Sequence, residues 1–245
     1  MRKQLTPIAS FLAGFVLVLL IANGCRPRQD SLAKDTPAAN PYDIEMDRFD
    51  SEIRAFQSID ARSRIQSDVH LFVGSSSIRK WETMQADLAP HAVLNRGFGG
   101  STLPEVNHYF EQLVAKYQPK TIFLYEGDND IAIEAVQPDD VLVEMVKFDS
   151  LVEAHIPGTP IYCISVKPAI SRKNILDKAH QTNQLLQAWT AEQPNWNFVD
   201  VASPMMDGDQ IRSDIFVSDS LHMNARGYEL WTAEILPILQ QLDSE

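Results

Sequence analysis

Five short apolar segments, each followed by a turn signal and then a helical pattern, leave this chain few possible architectures. They are Val69 to Val73, Ala92 to Leu94, Thr121 to Tyr125, Ile161 to Val166 and Phe198 to Val201. Their residues run almost wholly apolar instead of alternating with polar ones, as expected of strands buried on both faces. Between them the period changes. Met46, Phe49, Ile53 and Phe56 recur at steps of three and four, the spacing of an amphipathic helix. Thr102 with Glu105 forms a capping-box signature that opens a helix predicted to run to about Tyr117. Further helices are expected from Pro138, from Asn174 to Glu192 and from Asn224 to Leu242. Strands alternating with helices predict an α/β fold, a three-layer αβα sandwich around a five-stranded parallel sheet. No repeat of about 20–50 residues competes with that reading.

In parallel sheets, ligands bind beyond the carboxyl ends of the strands. The segments that matter are therefore 74–79, 95–102, 126–131, 167–172 and 203–222. The first reads Gly74-Ser75-Ser76-Ser77. A serine between strand and helix can be a plain helix cap or a nucleophile beside helix-start N–H groups. The second, Gly97-Phe98-Gly99-Gly100, lacks the third glycine of a dinucleotide fingerprint; it can make a tight turn or bring an N–H close to a carbonyl oxygen. The third, Glu126-Gly127-Asp128-Asn129-Asp130, lacks the layout of a calcium loop. Its Asn129 is either turn chemistry or an oxyanion donor. The fourth offers Lys167 and Arg172, which either line the cleft or are simply solvated. In the last, Asp219 stands three residues before His222, so its carboxylate can meet one ring nitrogen and leave the other as a base. A backbone carbonyl can share that orienting role so close in sequence. The other five histidines are read as surface or incidental. Met205 and Met206 are read as packing, with an apolar lip as the alternative.

The amino terminus sets the compartment. Arg2 and Lys3 precede Ile8 to Ala22, a run of 15 residues in which only Ser10 is polar. That is shorter than the roughly 20 residues of a spanning helix and matches a signal-peptide core. Residues 1–24 are read as signal peptide, with an uncleaved anchor as the alternative. Residues 25–41, polar and proline-containing, are read as a flexible tether, and 42–245 as one domain. Of the two cysteines, Cys163 lies in an apolar segment and is expected to be a buried small hydrophobe. The formal net charge of −12 argues against nucleic-acid partners, since phosphates would be repelled.

Taken together, the strand-end serine, the glycine loop, Gly127-Asp128-Asn129-Asp130 and Asp219-Ser220-Leu221-His222 followed by Asn224-Ala225-Arg226-Gly227-Tyr228 resemble the four blocks of the SGNH, or GDSL-type, hydrolases. The likeness runs from about Val69 to Trp231. Ala22-Asn23-Gly24-Cys25 likewise resembles the lipobox of bacterial lipoproteins, which implies lipidation of Cys25 and an extracytoplasmic, membrane-anchored domain. The family resemblance implies a flavodoxin-like sheet and a serine esterase. Ser76 would be the nucleophile, His222 the base and Asp219 its orienter. The N–H groups of Ser76 and Gly100 and the amide of Asn129 would form the oxyanion hole. Ser75 stands where the family's aspartate is usual, leaving Ser75 and Ser77 as rival nucleophiles. The implied substrate is a small ester, as for a short-chain carboxylesterase or acetylesterase, with lysophospholipase or thioesterase as the alternative. No metal or cofactor is implied. A tethered, non-catalytic binding module is the reading from another class.

Overall fold

The structure, a computed structural model, describes residues 40–63 and 68–244. The expected signal peptide, Cys25 and the expected tether up to residue 39 lie outside the described residues. A 3-10 turn, Met46–Phe49, leads into α1 (Asp50–Asp60), β1 (His70–Gly74), the short α2 (Ser76–Arg79) and α3 (Met84–Asp87). Next come β2 (Val93–Gly97), α4 (Leu103–His108), α5 (Phe110–Leu113), β3 (Thr121–Tyr125), α6 (Pro138–His155) and β4 (Ile161–Ile164). The chain closes with α7 (Leu176–Thr190), β5 (Trp196–Val199), a small ribbon of β6 (Met206–Asp207) and β7 (Gln210–Ile211), and α8 (Ala225–Leu242). Among these described residues no helix is long and apolar enough to cross a membrane.

The main sheet has the order β2-β1-β3-β4-β5, and every pair is parallel. Successive strand residues feed opposite layers. Leu71, Val73, Ile122, Leu124, Ile161 and Cys163 pack with residues of α1, α4, α5, α6 and α7. Phe72, Phe123, Ile164 and Val199 pack with Ile78, Trp81, Met84 and the apolar face of α8. Both layers are apolar, which is why the strands showed no polar alternation. The second layer is aromatic: Phe72 stacks on Phe123 at 4.6 Å, Phe123 on Tyr162 at 4.8 Å, and Trp81 on Tyr228 at 5.3 Å. Cys163 is buried as expected, and that burial pushes its thiol up to about 12.

Several boundaries differ from the sequence expectation. β2 continues through Asn95 and Arg96, polar residues whose side chains find partners mostly on other elements. Asn95 Oδ1 accepts from the Gly97 N–H at 2.9 Å, and its Nδ2 donates to Ile78 O at 2.7 Å. Arg96 pairs with Asp60 and donates to Tyr117 Oη at 2.6 Å. β5 begins at Trp196, two residues early, because the parallel register sets Trp196 opposite Ile161. The helix expected over 102–117 is broken into α4, α5 and a 3-10 turn. The first break falls at Tyr109, whose hydroxyl is held by Met46 O and Asp50.

Candidate active site

The strand order reverses at β1, which carries β2 on one side and β3 on the other. That is the topological switch point where a crevice opens beyond the strand ends. The three ends are level, since Gly74 pairs with both Gly97 and Tyr125. Two glycines make this approach possible. Gly74 has φ +139°, and a Cβ there would lie 2.0 Å from Tyr125 O. At Gly97 a Cβ would lie 2.3 Å from the backbone nitrogen of Arg79. Only the missing side chains let the turn after β1 and the last residues of α2 press against the neighbouring strands.

Ser76 opens α2 at that crevice, and among the three serines it alone is partly exposed, Ser75 and Ser77 being buried. Its Oγ lies 3.0 Å from His222 Nε2. His222 Nδ1 lies 2.6 Å from Asp219 Oδ2, the one bond that this nitrogen makes among the described residues. A carbonyl sharing that role, expected as an option, is therefore not seen there. Asp219 also closes its own turn: its Oδ1 accepts from the N–H groups of Leu221 and His222, both at 2.9 Å. Ser220, at φ +58°, gives the turn its tight geometry. The His222 hydrogen bond holds the Asp219 carboxyl far below the usual carboxylate range, backed by those two N–H donors. His222 is fixed from behind by an isolated bridge between Phe216 and Met223 and by the Asn224 cap, which accepts from the N–H groups of Arg226 and Gly227.

The loops after β2 and β3 meet beside this relay. A Cβ on Gly100 would lie 3.8 Å from Asn129 Nδ2, ordinary contact distance. Asn129 Nδ2 donates one hydrogen to Ser101 O at 2.8 Å, while its Oδ1 accepts from Arg172 at 2.8 Å. Among the described residues the N–H groups of Ser76 and Gly100 have no protein acceptor, so they are available to a developing negative charge. Aligned hydroxyl, imidazole and carboxylate, with spare N–H donors alongside, suit nucleophilic attack on a carbonyl.

A family profile, that of the GDSL-like lipase/acylhydrolase family, matches residues 68–230. The chain belongs to this family of hydrolases acting on esters. Its fold agrees with solved structures. A GDSL-like lipase from Bacteroides thetaiotaomicron superposes with a TM-score of 0.68 at 20% identity, covering 80% of this chain and 99% of that one. A catalytic mutant of an acetylxylan esterase from Geobacillus stearothermophilus gives 0.58 at 15% identity, covering 72% and 96%. Among curated proteins, an N-acylneuraminate cytidylyltransferase from Escherichia coli is 23% identical over 177 residues. That stretch covers 71% of this chain, which spans only 41% of the length of that relative.

In this GDSL-like hydrolase the sequence reading missed the groups that brace the site. The amino-terminal turn is one: Glu52 Oε2 accepts from the Gly99 N–H at 3.0 Å, and Phe49 lies where a Gly99 side chain would be. Arg48 pairs with Glu105 below the same loop. Glu126 is fully buried, which raises its carboxyl well above the usual range; one oxygen accepts from Ser101 Oγ at 2.6 Å. Burial likewise raises Asp130 to about 6, against hydrogen bonds from Leu103, Tyr42 and Gly127. Lys167 and Arg172 are neither solvated nor free. Lys167 is buried and Arg172 mostly so, because both are tied to Asp128. Met205 is buried as packing.

Two histidines also depart from the surface reading. His70 and His91 are buried at the opposite, amino-terminal end of the strands, and both meet Asp243 just past α8, at 3.1 and 2.6 Å. Both Asp243 oxygens are thereby taken, and Lys120 Nζ lies 2.6 Å from one of them. The cluster ties the end of α8 to the sheet. A cavity of about 190 Å³ lies between the loop after β4, α7 and the segment after β5, lined among others by Val166, His180 and Phe198. No member of the Ser76–His222–Asp219 relay lines it.

Proposed function

We propose that the chain hydrolyses small carboxylic esters by a serine mechanism, with Ser76 as nucleophile, His222 as general base and Asp219 orienting the imidazole. The observation that carries this is the continuous relay from Asp219 through His222 to the one partly exposed serine of the three. With Nδ1–H bonded to Asp219, Nε2 carries the lone pair that faces Ser76. As Ser76 Oγ attacks the ester carbonyl, its proton passes to Nε2. The oxyanion is met by the N–H groups of Ser76 and Gly100 and by the second amide hydrogen of Asn129. Collapse expels the alcohol, which leaves with the proton from Nε2. Water, deprotonated in turn by His222, attacks the acyl-enzyme and releases the acid.

The leading substrate class is a short-chain or acetyl ester, the activity borne in name by the acetylxylan esterase that shares this fold. The crevice supports this reading, because no long insertion in the sequence offers a lid over it. Lysophospholipase or thioesterase activity is the alternative within the family. We further place the domain outside the cytoplasm, tethered through Cys25; palmitate labelling lost in Cys25→Ser is the expected check, and labelling that persists would contradict it. The function is tested with a chain-length series of p-nitrophenyl esters on wild type and folded Ser76→Ala. Rates highest for acetate and absent from the variant support it. Activity retained in Ser76→Ala overturns the nucleophile, preference for long chains favours the lipase-type alternative, and inert wild type favours a binding module.

A further inference from the structure

Behind the candidate oxyanion hole lies a cluster of charge that the triad does not use. Asp128 is buried between Lys167, also buried, and Arg172. Arg172 Nη1 donates to Asp128 O at 2.5 Å and also to its carboxylate, while Nη2 donates to Asn129 Oδ1 at 2.8 Å. Lys167 Nζ donates to Leu221 O at 2.9 Å and lies 3.4 Å from Asp128 Oδ2. The Ser171 N–H donates to Ser220 O at 3.1 Å. Thus the loop after β4 grips the loop after β3 on one side and the His222 turn on the other. Burial alone would raise the Asp128 carboxyl; the two cations outweigh it and hold it below its usual value.

The chemistry of the guanidinium decides what this grip does. An asparagine amide has two nearly isosteric ends, of which only the NH₂ end can stabilise an oxyanion. Arg172 is donor-only, so whatever it bonds on Asn129 must be the oxygen. The amide is thereby oriented with its nitrogen toward Ser101 O and the crevice. We propose that Arg172, pinned by the buried Asp128–Lys167 pair, is a positioning residue that fixes the Asn129 amide as an oxyanion donor. Without it the amide is held on one side only, by Ser101 O, and its oxygen can turn toward the developing negative charge. This rests on the serine-esterase reading and adds to it a requirement for a fork, rather than merely a cation, at position 172.

Lysine separates the two roles. Arg172→Lys keeps a positive charge beside Asp128 but not the second, rigidly placed donor. With p-nitrophenyl acetate and rates normalised to active sites titrated by a fluorophosphonate, kcat should fall by about 10–10² with KM changed less than about twofold, as expected of a misplaced donor. In an Asn129→Ala background the same change should cost less than about twofold, because the group it orients is gone. Full activity in Arg172→Lys, or losses that multiply in the double variant, would overturn the positioning role. If Arg172→Lys does not accumulate folded, Arg172→Met, which leaves the buried Asp128–Lys167 pair intact, is read in the same cycle with the same outcomes. The two readings fail differently: activity surviving in Ser76→Ala breaks the esterase reading, whereas multiplying losses with Ser76→Ala inert break only the role of Arg172.

Discussion

Replacing Asp219 by asparagine should damage turnover more than replacing it by alanine, although asparagine has nearly the same shape. In the native turn Asp219 Oδ1 accepts two backbone N–H groups, and Oδ2 faces His222 Nδ1 at 2.6 Å. The two N–H donors select the carbonyl end of an asparagine, so its NH₂ would point at Nδ1. Nδ1 must then act as acceptor, and the ring proton moves to Nε2. But Nε2 lies 3.0 Å from Ser76 Oγ and has to take that proton. The imidazole is locked in the wrong tautomer, a situation that costs about 10⁴ in kcat. Alanine removes the charge-assisted bond, worth about 1.5–3 kcal/mol. At about 1.4 kcal/mol per tenfold, that is about 10–10² in rate, since water at this exposed turn can accept from Nδ1. His222→Ala, which leaves no base at all, should be slower than Asp219→Ala. The assay is initial-rate hydrolysis of p-nitrophenyl acetate, with circular dichroism to establish that each variant is folded. Asp219→Ala as slow as Asp219→Asn, or slower, would refute the tautomer argument and assign Asp219 chiefly to the geometry of the turn.

Asn129→Ala should lower kcat by about 10²–10³ without unfolding the protein, the usual cost of one oxyanion donor; an unchanged kcat would remove Asn129 from the hole. Gly100→Ala should keep its melting temperature, because the added methyl meets only the Asn129 amide, at an ordinary 3.8 Å, whereas Gly97→Ala, aimed at backbone 2.3 Å away, should lose stability in a melting scan. Trp231→Ala removes a fully buried ring from the aromatic layer and should cost about 3–5 kcal/mol in urea unfolding. Burial holds the His70 pKa below its ordinary value despite Asp243. The unfolded chain therefore binds the extra proton first, and stability should fall as pH drops below about 6.5. Urea midpoints at pH 7.5 and 5.0 should differ more for wild type than for His70→Gln; equal differences would contradict this.

The sheet and its crevice were legible in the sequence because unbroken apolar segments such as Val69 to Val73 have one common explanation, burial on both faces. Thr102–Glu105 and Asn224 marked helix starts through their own hydrogen bonds, and the structure forms both caps. Ser76 and His222, 146 residues apart in sequence, meet in the fold, as the resemblance implied. The bracing groups were illegible for a physical reason. A charged side chain such as Lys167 or Arg172 reads as solvated unless its partner is known, and the partner Asp128 lies some 40 residues away on another strand end. His70 and His91 were hidden likewise, since Asp243 reaches them only once α8 has packed. Strand ends such as Asn95-Arg96 were missed because their polarity is satisfied by side-chain contacts that no local pattern records.

The most direct test of the central claim is to label the folded protein with a fluorophosphonate and locate the adduct by fragmentation mass spectrometry of the peptide containing Ser75, Ser76 and Ser77. A single adduct on Ser76, absent from Ser76→Ala and strongly slowed in His222→Ala, is the predicted result. An adduct on Ser75 or Ser77, or labelling that persists in Ser76→Ala, would contradict it.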